Sequence, residues 1–284
     1  MTSIEGIILD HDQRGMGPLR PYLPADFCHQ AAQFIADHPG TAIIVTGFYI
    51  LRASSPETDG PPGAIAIGNA LQAMGRRVVY VSDIHTTPML RDWLGSATEV
   101  VNFPIVDAAT SREFATAILS RMKPALLISI ERCGRTRDDT YLNMRAANIT
   151  PYTARLDYLF EAGTPSIGIG DGGNEIGMGN LAEIIPTVER LPKNPAVTRV
   201  DRLVIASVSN WGGYGLVAGL SRIAGRNLLP TVEHETRLIE YMVDNGAVDG
   251  TTGERNYTVD NFTAEQNGEL LSRLHRLLAQ EGIT

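Results

Sequence analysis

The chain has 284 residues, 43% of them hydrophobic and 20% charged, with 32 acidic against 24 basic side chains and a net charge of −8. A chain of that size and composition can bury a large apolar core, which excludes global disorder. The acidic surplus argues against nucleic acid as a partner, and Cys28 and Cys133, the only cysteines, exclude a disulfide framework and a four-cysteine zinc site.

Residues 1–10 place no basic side chain ahead of their short apolar run, and no stretch reaches the ~18 apolar residues of a membrane span. The expectation is a cytoplasmic protein with no membrane partner. Helical period covers residues 25–37, and a β-branched run follows at 41–46. The same alternation continues through a helix at 64–74, a strand at 77–82, a helix at 88–94, a strand at 99–103, a helix at 111–122 and a strand at 125–130. Then come a helix at 152–162, a strand at 166–170, a helix at 173–185, a strand at 202–207 and a helix at 212–224. Strands alternating with helices predict an α/β fold with a mainly parallel, Rossmann-like sheet and helices on both faces. After Pro230 the alternation stops. Helices at 232–245 and 264–280, the second opened by the capping-box pair Thr263 and Gln266, read as a C-terminal helical appendage over 232–284, with a turn-rich segment at 246–260 between them. With no repeat or long linker, residues 1–284 read as a single domain.

Ligands of open parallel sheets bind beyond the carboxyl ends of the strands, and those ends carry the polar residues here. The first strand leads to Thr46, Gly47 and the run Glu57-Thr-Asp-Gly-Pro-Pro-Gly63, and the second to Asp83 and His85. The fourth leads to Glu131, Arg132 and Gly134, the fifth to Asp171, Asn174 and Glu175, and the last to Ser207, Ser209 and Asn210. The expectation is that these ends face one cleft. The fifth strand contains a literal G-x-G-x-x-G at Gly168, Gly170 and Gly173, but its first two glycines lie inside the strand and Glu189 ends no second strand, so NAD is not expected. The segment offers instead a helix N-terminus near Gly172 whose amides suit an anion or oxyanion, with Asp171 and Glu175 beside it. Its alternative reading is a glycine-rich turn in which Asp171 is only a helix cap.

Lys123 and Lys193, the only lysines, both abut prolines, and neither is placed for a pyridoxal phosphate Schiff base or a P-loop. The six histidines have no metal-ligand spacing, so any metal would sit on carboxylates and be a hard ion, Mg²⁺ or Mn²⁺. Arg132, at a strand end, has the fork geometry that suits a substrate carboxylate.

Taken in order, Glu57-Thr-Asp-Gly-Pro-Pro-Gly63, Glu131-Arg132 with Tyr141, Asn143 and Arg145, Gly170-Asp-Gly-Gly-Asn-Glu-Ile-Gly-Met-Gly179, Ser209-Asn-Trp-Gly-Gly-Tyr-Gly215 and Gly246-Ala-Val-Asp-Gly250 resemble the C-terminal domain of D-glutamate cyclases. Longer members of that family carry a further N-terminal domain that this sequence does not include. The resemblance implies a lyase that converts D-glutamate, a small dicarboxylate, to 5-oxo-D-proline with loss of water. It implies a divalent ion on Glu131, Asp171 and Glu175, a clamp for the α-carboxylate at Arg132 or Arg145, and an oxyanion site at the Gly172 and Gly173 amides. Ser209 and Asn210 join the substrate-binding set and Asn174 and Glu175 the catalytic set, and the base lies between Glu57 and Asp59. A metal-dependent hydrolase or phosphatase acting on a small acidic substrate and a noncatalytic ligand-binding domain stay open as alternatives, as does homo-oligomerisation.

Overall fold

The computed structural model describes residues 3–284. Six strands form one parallel sheet: β1 (Ala42–Thr46), β2 (Val78–Ser82), β3 (Glu99–Asn102), β4 (Leu126–Ile130), β5 (Ser166–Gly170) and β6 (Arg202–Ile205), in the spatial order β3-β2-β1-β4-β5-β6. All residues of β1, β2, β4 and β5 are buried. That is why they read as unbroken apolar or small-residue runs instead of alternating ones.

Pleat alternation divides the sheet's side chains between two helical layers. Ile44 and Ile128 pack with Ala31 and Ile35 of α2 (Phe27–Asp37), Ile67 of α3 (Pro61–Ala73) and Leu216 of α7 (Ser209–Ala224). Ile43, Val45 and Leu127 face the other way, onto Ala115 and Ile118 of α5 (Ala108–Met122) and Leu159 of the one-turn α6 (Asp157–Phe160). At the amino end, α1 (Ile4–Ile8) is capped by the Ser3 hydroxyl, which accepts from the Gly6 amide at 3.0 Å, and α4 (Thr87–Leu94) lies between β2 and β3.

Two of the expected helices are absent. The stretch at 152–162 contains only the end of a 3₁₀ turn (Thr150–Tyr152) and the one-turn α6, whose Asp157 carboxylate accepts from the Arg135 amide at 3.0 Å and the Tyr141 hydroxyl at 2.6 Å. Residues 173–185 contain two 3₁₀ turns, Met178–Leu181 and Ile185–Thr187. Gly173 and Gly177 have φ of 88° and 106°, and the amides of Ile176 and Gly177 donate across to the carbonyls of Arg132 and Thr198 instead of along a helix.

The C-terminal helical appendage packs on the core. Leu238, Ile239 and Met242 of α8 (Val232–Asp244) and Leu270, Leu271 and Leu274 of α9 (Ala264–Gln280) share one apolar cluster with α2, α3 and α7. The capping box at Thr263 and Gln266 is present. Trp211 donates to Asn267 Oδ1 at 2.8 Å, and the Tyr214 hydroxyl donates to Glu235. The segment between the helices returns to the loop between β1 and α3, where Val248 N donates to Pro56 O at 3.0 Å and Thr58 N to Val248 O at 2.9 Å. No helix among the described residues is long and apolar enough to cross a membrane.

Burial at the α7–α8 contact raises the Glu235 carboxyl from 4.5 to about 7, against the lowering effect of the Tyr214 hydrogen bond. The unfolded chain then releases this proton at lower pH than the folded one. The associated stability is intact below pH 4.5 and is lost as pH rises through the window up to about 7. Replacing Glu235 with Gln is expected to remove a loss on the order of 3 kcal/mol between about pH 4.5 and pH 7. Urea denaturation at several pH values checks this; an unchanged pH slope in the variant refutes it.

Candidate active site

The strand order reverses between β1 and β4, where Thr46 pairs with Ile130. A crevice opens at such a reversal beyond the strand ends. From β1 the chain makes a small hairpin, Tyr49–Ile50 against Ser55–Pro56, and then delivers Glu57 and Asp59 to the start of α3. Glu131 follows β4 directly, with φ 43°. Asp171, Asn174 and Glu175 come from the loop after β5, and Ser209 and Asn210 open α7 after β6.

The structure brings these residues together. One oxygen each from Glu131, Asp171 and Glu175 lie within 4.8 Å of one another, and the same holds for Asp59, Asp171 and Asp260. Asp59 Oδ1 accepts from Asn210 N at 2.7 Å and Gly60 N at 2.9 Å, while Oδ2 accepts from Ser209 N at 2.9 Å. Asp171 Oδ2 shares the Ser209 amide at 3.2 Å, and the Ser209 hydroxyl donates to Glu131 Oε2 at 2.6 Å. Glu175 Oε1 accepts from Asp171 N at 3.2 Å. Three carboxylate oxygens, Glu57 Oε1, Glu175 Oε2 and Asp260 Oδ2, are buried with no hydrogen-bond partner among the described residues.

Above the cluster lies a cavity of about 450 Å³. Glu57, Glu131, Asn174 and Arg14 form its polar wall, Phe48, Tyr49, Ile50, Leu51 and Met144 its apolar wall, and Arg52 and Arg145 also line it. Asn174 donates to Leu142 O at 3.1 Å, and its own oxygen is unpartnered among the described residues. Burial, reinforced by neighbouring carboxylates, pushes the carboxyls of Glu57 and Glu131 well above the ordinary range. Burial likewise raises Asp171 well above it, against the pull of Arg14. Asp59 is pushed up to about 7 by burial and by Asp260, and Asp260 to about 8 by burial, against the lowering effect of Arg14.

Several residues sit elsewhere than their sequence positions suggest. Arg132 is 1% exposed and points away from the cavity. Its guanidinium donates to Gly47 O at 2.7 Å and Ala154 O at 2.9 Å and pairs with Asp83 at 2.6 Å, so it is a strut beneath the strand ends instead of a substrate clamp. The left-handed turn at Glu131 sends that side chain to the cluster and its neighbour to the opposite side. The Asn210 side chain is also committed, its oxygen accepting from Gly60 N at 2.9 Å and Gly63 N at 2.8 Å and its amide donating to Thr58 O at 3.2 Å. Gly172 and Gly173 do not begin a helix, so no helix dipole stands behind their amides; the helix N-termini at the site belong to α3 and α7. Arg145 is exposed at the cavity mouth, with no ion-pair partner among the described residues.

Two site residues carried no sequence signal that singled them out. Asp260, in the turn-rich segment, and Arg14, in the loop after α1, pair with each other, and Arg14 also pairs with Asp171. Burial alone would lower the Arg14 pKa, but Asp171 and Asp260 hold it well above its ordinary value. The demand for a cation among so many acids was the available clue, but nothing in the sequence says which of the arginines answers it.

The sequence matches the family described as D-glutamate cyclase-like, C-terminal, over residues 4–275. It is 31% identical to the human protein named D-glutamate cyclase, mitochondrial, in an alignment of 318 residues covering 96% of this chain and 51% of that protein. The chain thus spans about half the length of that relative. Among solved structures, an exopolyphosphatase-related protein from Bacteroides fragilis aligns with a TM-score of 0.45 at 9% identity, covering 92% of this chain and 58% of that one. An actinorhodin polyketide ketoreductase with NADPH aligns with a TM-score of 0.31 at 13% identity, covering 84% and 90%. Likenesses this weak carry no argument. The family match and the human relative do, and the chain belongs to the D-glutamate cyclase-like family.

Proposed function

We propose that the chain cyclises D-glutamate to 5-oxo-D-proline with loss of water, a carbon–oxygen lyase reaction, with Mn²⁺ or Mg²⁺ held on Glu131, Asp171 and Glu175. The observation that carries this reading, in a chain of this family, is the group of buried carboxylates with unpartnered oxygens under a cavity at the sheet's switch point. Oxygen-only ligands fit a hard cation. Without one, acids packed this closely must retain protons, and a dicarboxylate substrate would add negative charge.

The chemistry divides among the residues by what each has free. Glu57 lines the cavity with one oxygen unpartnered, whereas both oxygens of Asp59 are occupied by backbone amides. This favours Glu57 as the base that takes a proton from the substrate α-ammonium. The freed amine attacks the side-chain carboxyl carbon, the nitrogen releases a second proton, and one carboxyl oxygen departs as water carrying both. When bound, the divalent ion supplies polarisation of that carboxyl and charge to offset the oxyanion. The Gly172 and Gly173 amides face the same need for donors at the developing oxyanion. Asn174 offers its free oxygen to the ammonium group, and the exposed fork of Arg145 receives the α-carboxylate.

Purified protein incubated with D-glutamate and Mn²⁺ is expected to form 5-oxoproline, and to lose that activity in excess chelator. L-glutamate and phosphate esters are run in parallel. Hydrolysis of the esters without 5-oxoproline formation, or full activity in chelator, would overturn the cyclase or the metal reading respectively. Glu57→Gln is expected to lower kcat by roughly 10²-fold or more, the ordinary cost of losing a general base.

The two arginines separate cleanly. Arg145→Ala is expected to raise KM by about 10- to 100-fold, the worth of a charged hydrogen-bonded contact, with little change in stability. Arg132→Met breaks a buried ion pair and is expected to destabilise the fold by roughly 3–5 kcal/mol. Steady-state kinetics and denaturant melts on both variants check the pair, and a stable Arg132→Met protein with only a raised KM would restore Arg132 as the clamp.

A further inference from the structure

Two sets of three buried carboxylates meet at Asp171: Glu131, Asp171 and Glu175 on one side, and Asp59, Asp171 and Asp260 on the other. In each set the oxygens lie within 4.8 Å of one another, close enough to surround one hard cation at about 2.0–2.6 Å. By carboxylate geometry alone this is a frame for two cations bridged by Asp171. The two halves differ in their counter-charge. The Arg14 guanidinium lies across the second set, Nη1 on Asp171 Oδ1 and Nη2 on Asp260 Oδ1. No arginine, lysine or histidine pairs with Glu131 or Glu175 among the described residues. Glu175, 1% exposed, keeps Oε2 without a partner.

The loop that carries Arg14 is built to hold it there. Asp12 Oδ1 accepts from the amides of Gly15 at 2.8 Å, Met16 at 3.0 Å and Arg14 at 3.2 Å, and Oδ2 accepts from Gly17 at 2.8 Å. A guanidinium with two carboxylates on its fork is a permanent cation, since arginine does not deprotonate in proteins.

We propose that Arg14 is a resident cation that fills the Asp59–Asp171–Asp260 half of the frame, so that the centre takes one divalent ion, on Glu131, Asp171 and Glu175, and not two. The proposal rests on the metal-assisted reading above and adds to it the number of ions and the residue that sets it. Arg14 acts through Asp171, which it shares with the ion, and is therefore a positioning residue. Removing its charge vacates the second half and opens a second cation site.

The test counts Mn²⁺ bound per chain, by electron paramagnetic resonance of the free ion during titration of chelator-treated protein. The unmodified chain is expected to bind one ion, Arg14→Met two, Arg14→Lys one, and the double variant Arg14→Met with Asp260→Asn one. Circular dichroism melts establish that each variant is folded. If Arg14→Met does not fold, Asp12→Ala, which releases the loop and leaves every carboxylate of the frame in place, is expected to gain the second ion. Two ions in the unmodified chain, or no gain in whichever of Arg14→Met and Asp12→Ala is the folded test variant, would overturn the proposal. If the unmodified chain binds none, the metal-assisted reading fails and the one-ion count falls with it, whereas one ion in both the unmodified chain and folded Arg14→Met overturns the role of Arg14 alone.

Discussion

The site depends on a reciprocal clasp between two helix N-termini. Asp59, at the entry to α3, accepts the first two amides of α7, and Asn210, in the first turn of α7, accepts the amides of Gly60 and Gly63 at the start of α3. Each helix is capped by a residue of the other. The exchange needs close approach, and a Cβ on Gly213 would lie 2.9 Å from the Gly63 Cα. It also aims the positive ends of two helix dipoles at one point, which lowers the cost of gathering carboxylates there. Ser209 extends the clasp to Glu131 and Asp171, so the acids that follow β4 and β5 are held by the same turn of α7.

How much of this could be read beforehand follows from the kind of interaction involved. The six strands were legible because a parallel strand buried on both faces leaves a continuous apolar run, and α9 was legible to the residue because its capping box is local. The acids at the strand ends were legible because a parallel sheet directs its strand ends toward one crevice. The illegible parts turn on single backbone angles or on long-range partners. Glu131 takes a left-handed φ that exchanges the sides on which it and Arg132 lie, and pattern reading has no access to that exchange. Apolar spacing at 173–185 imitates a helix, but positive φ at Gly173 and Gly177 and hydrogen bonds to Thr198 settle the segment as turns. Arg14 and Asp260 are 246 positions apart, and neither has meaning without the other.

The cavity above the clasp combines opposite demands. Its floor is acidic and buried, which raises carboxyl pKa values and costs stability, while Phe48, Tyr49, Ile50 and Leu51 give it an apolar facing wall. Gly250 closes the arrangement from the C-terminal segment: a Cβ there would stand 2.1 Å from Glu57 Oε2. The glycine therefore sets how far the Glu57 carboxylate can withdraw from the cavity, which accounts for a glycine within a motif otherwise remote from the strand ends.

The pairing of Arg14 with Asp260 also bears on the order in which the molecule is assembled. β1, β4 and β5 can associate and their acids can approach while both ends of the chain are still unplaced, but the guanidinium spans both of its carboxylates only when the loop after α1 and the segment ahead of α9 reach the same spot. That contact closes nearly the whole length of the chain into a loop, and contacts of such sequence separation form late because their entropy cost is met last. Until then Arg14 can offset Asp171 alone. During synthesis the guanidinium is therefore made early and its second partner late, so a chain whose sheet has formed but whose final helix is still emerging holds Arg14 with only one of its two carboxylates in reach.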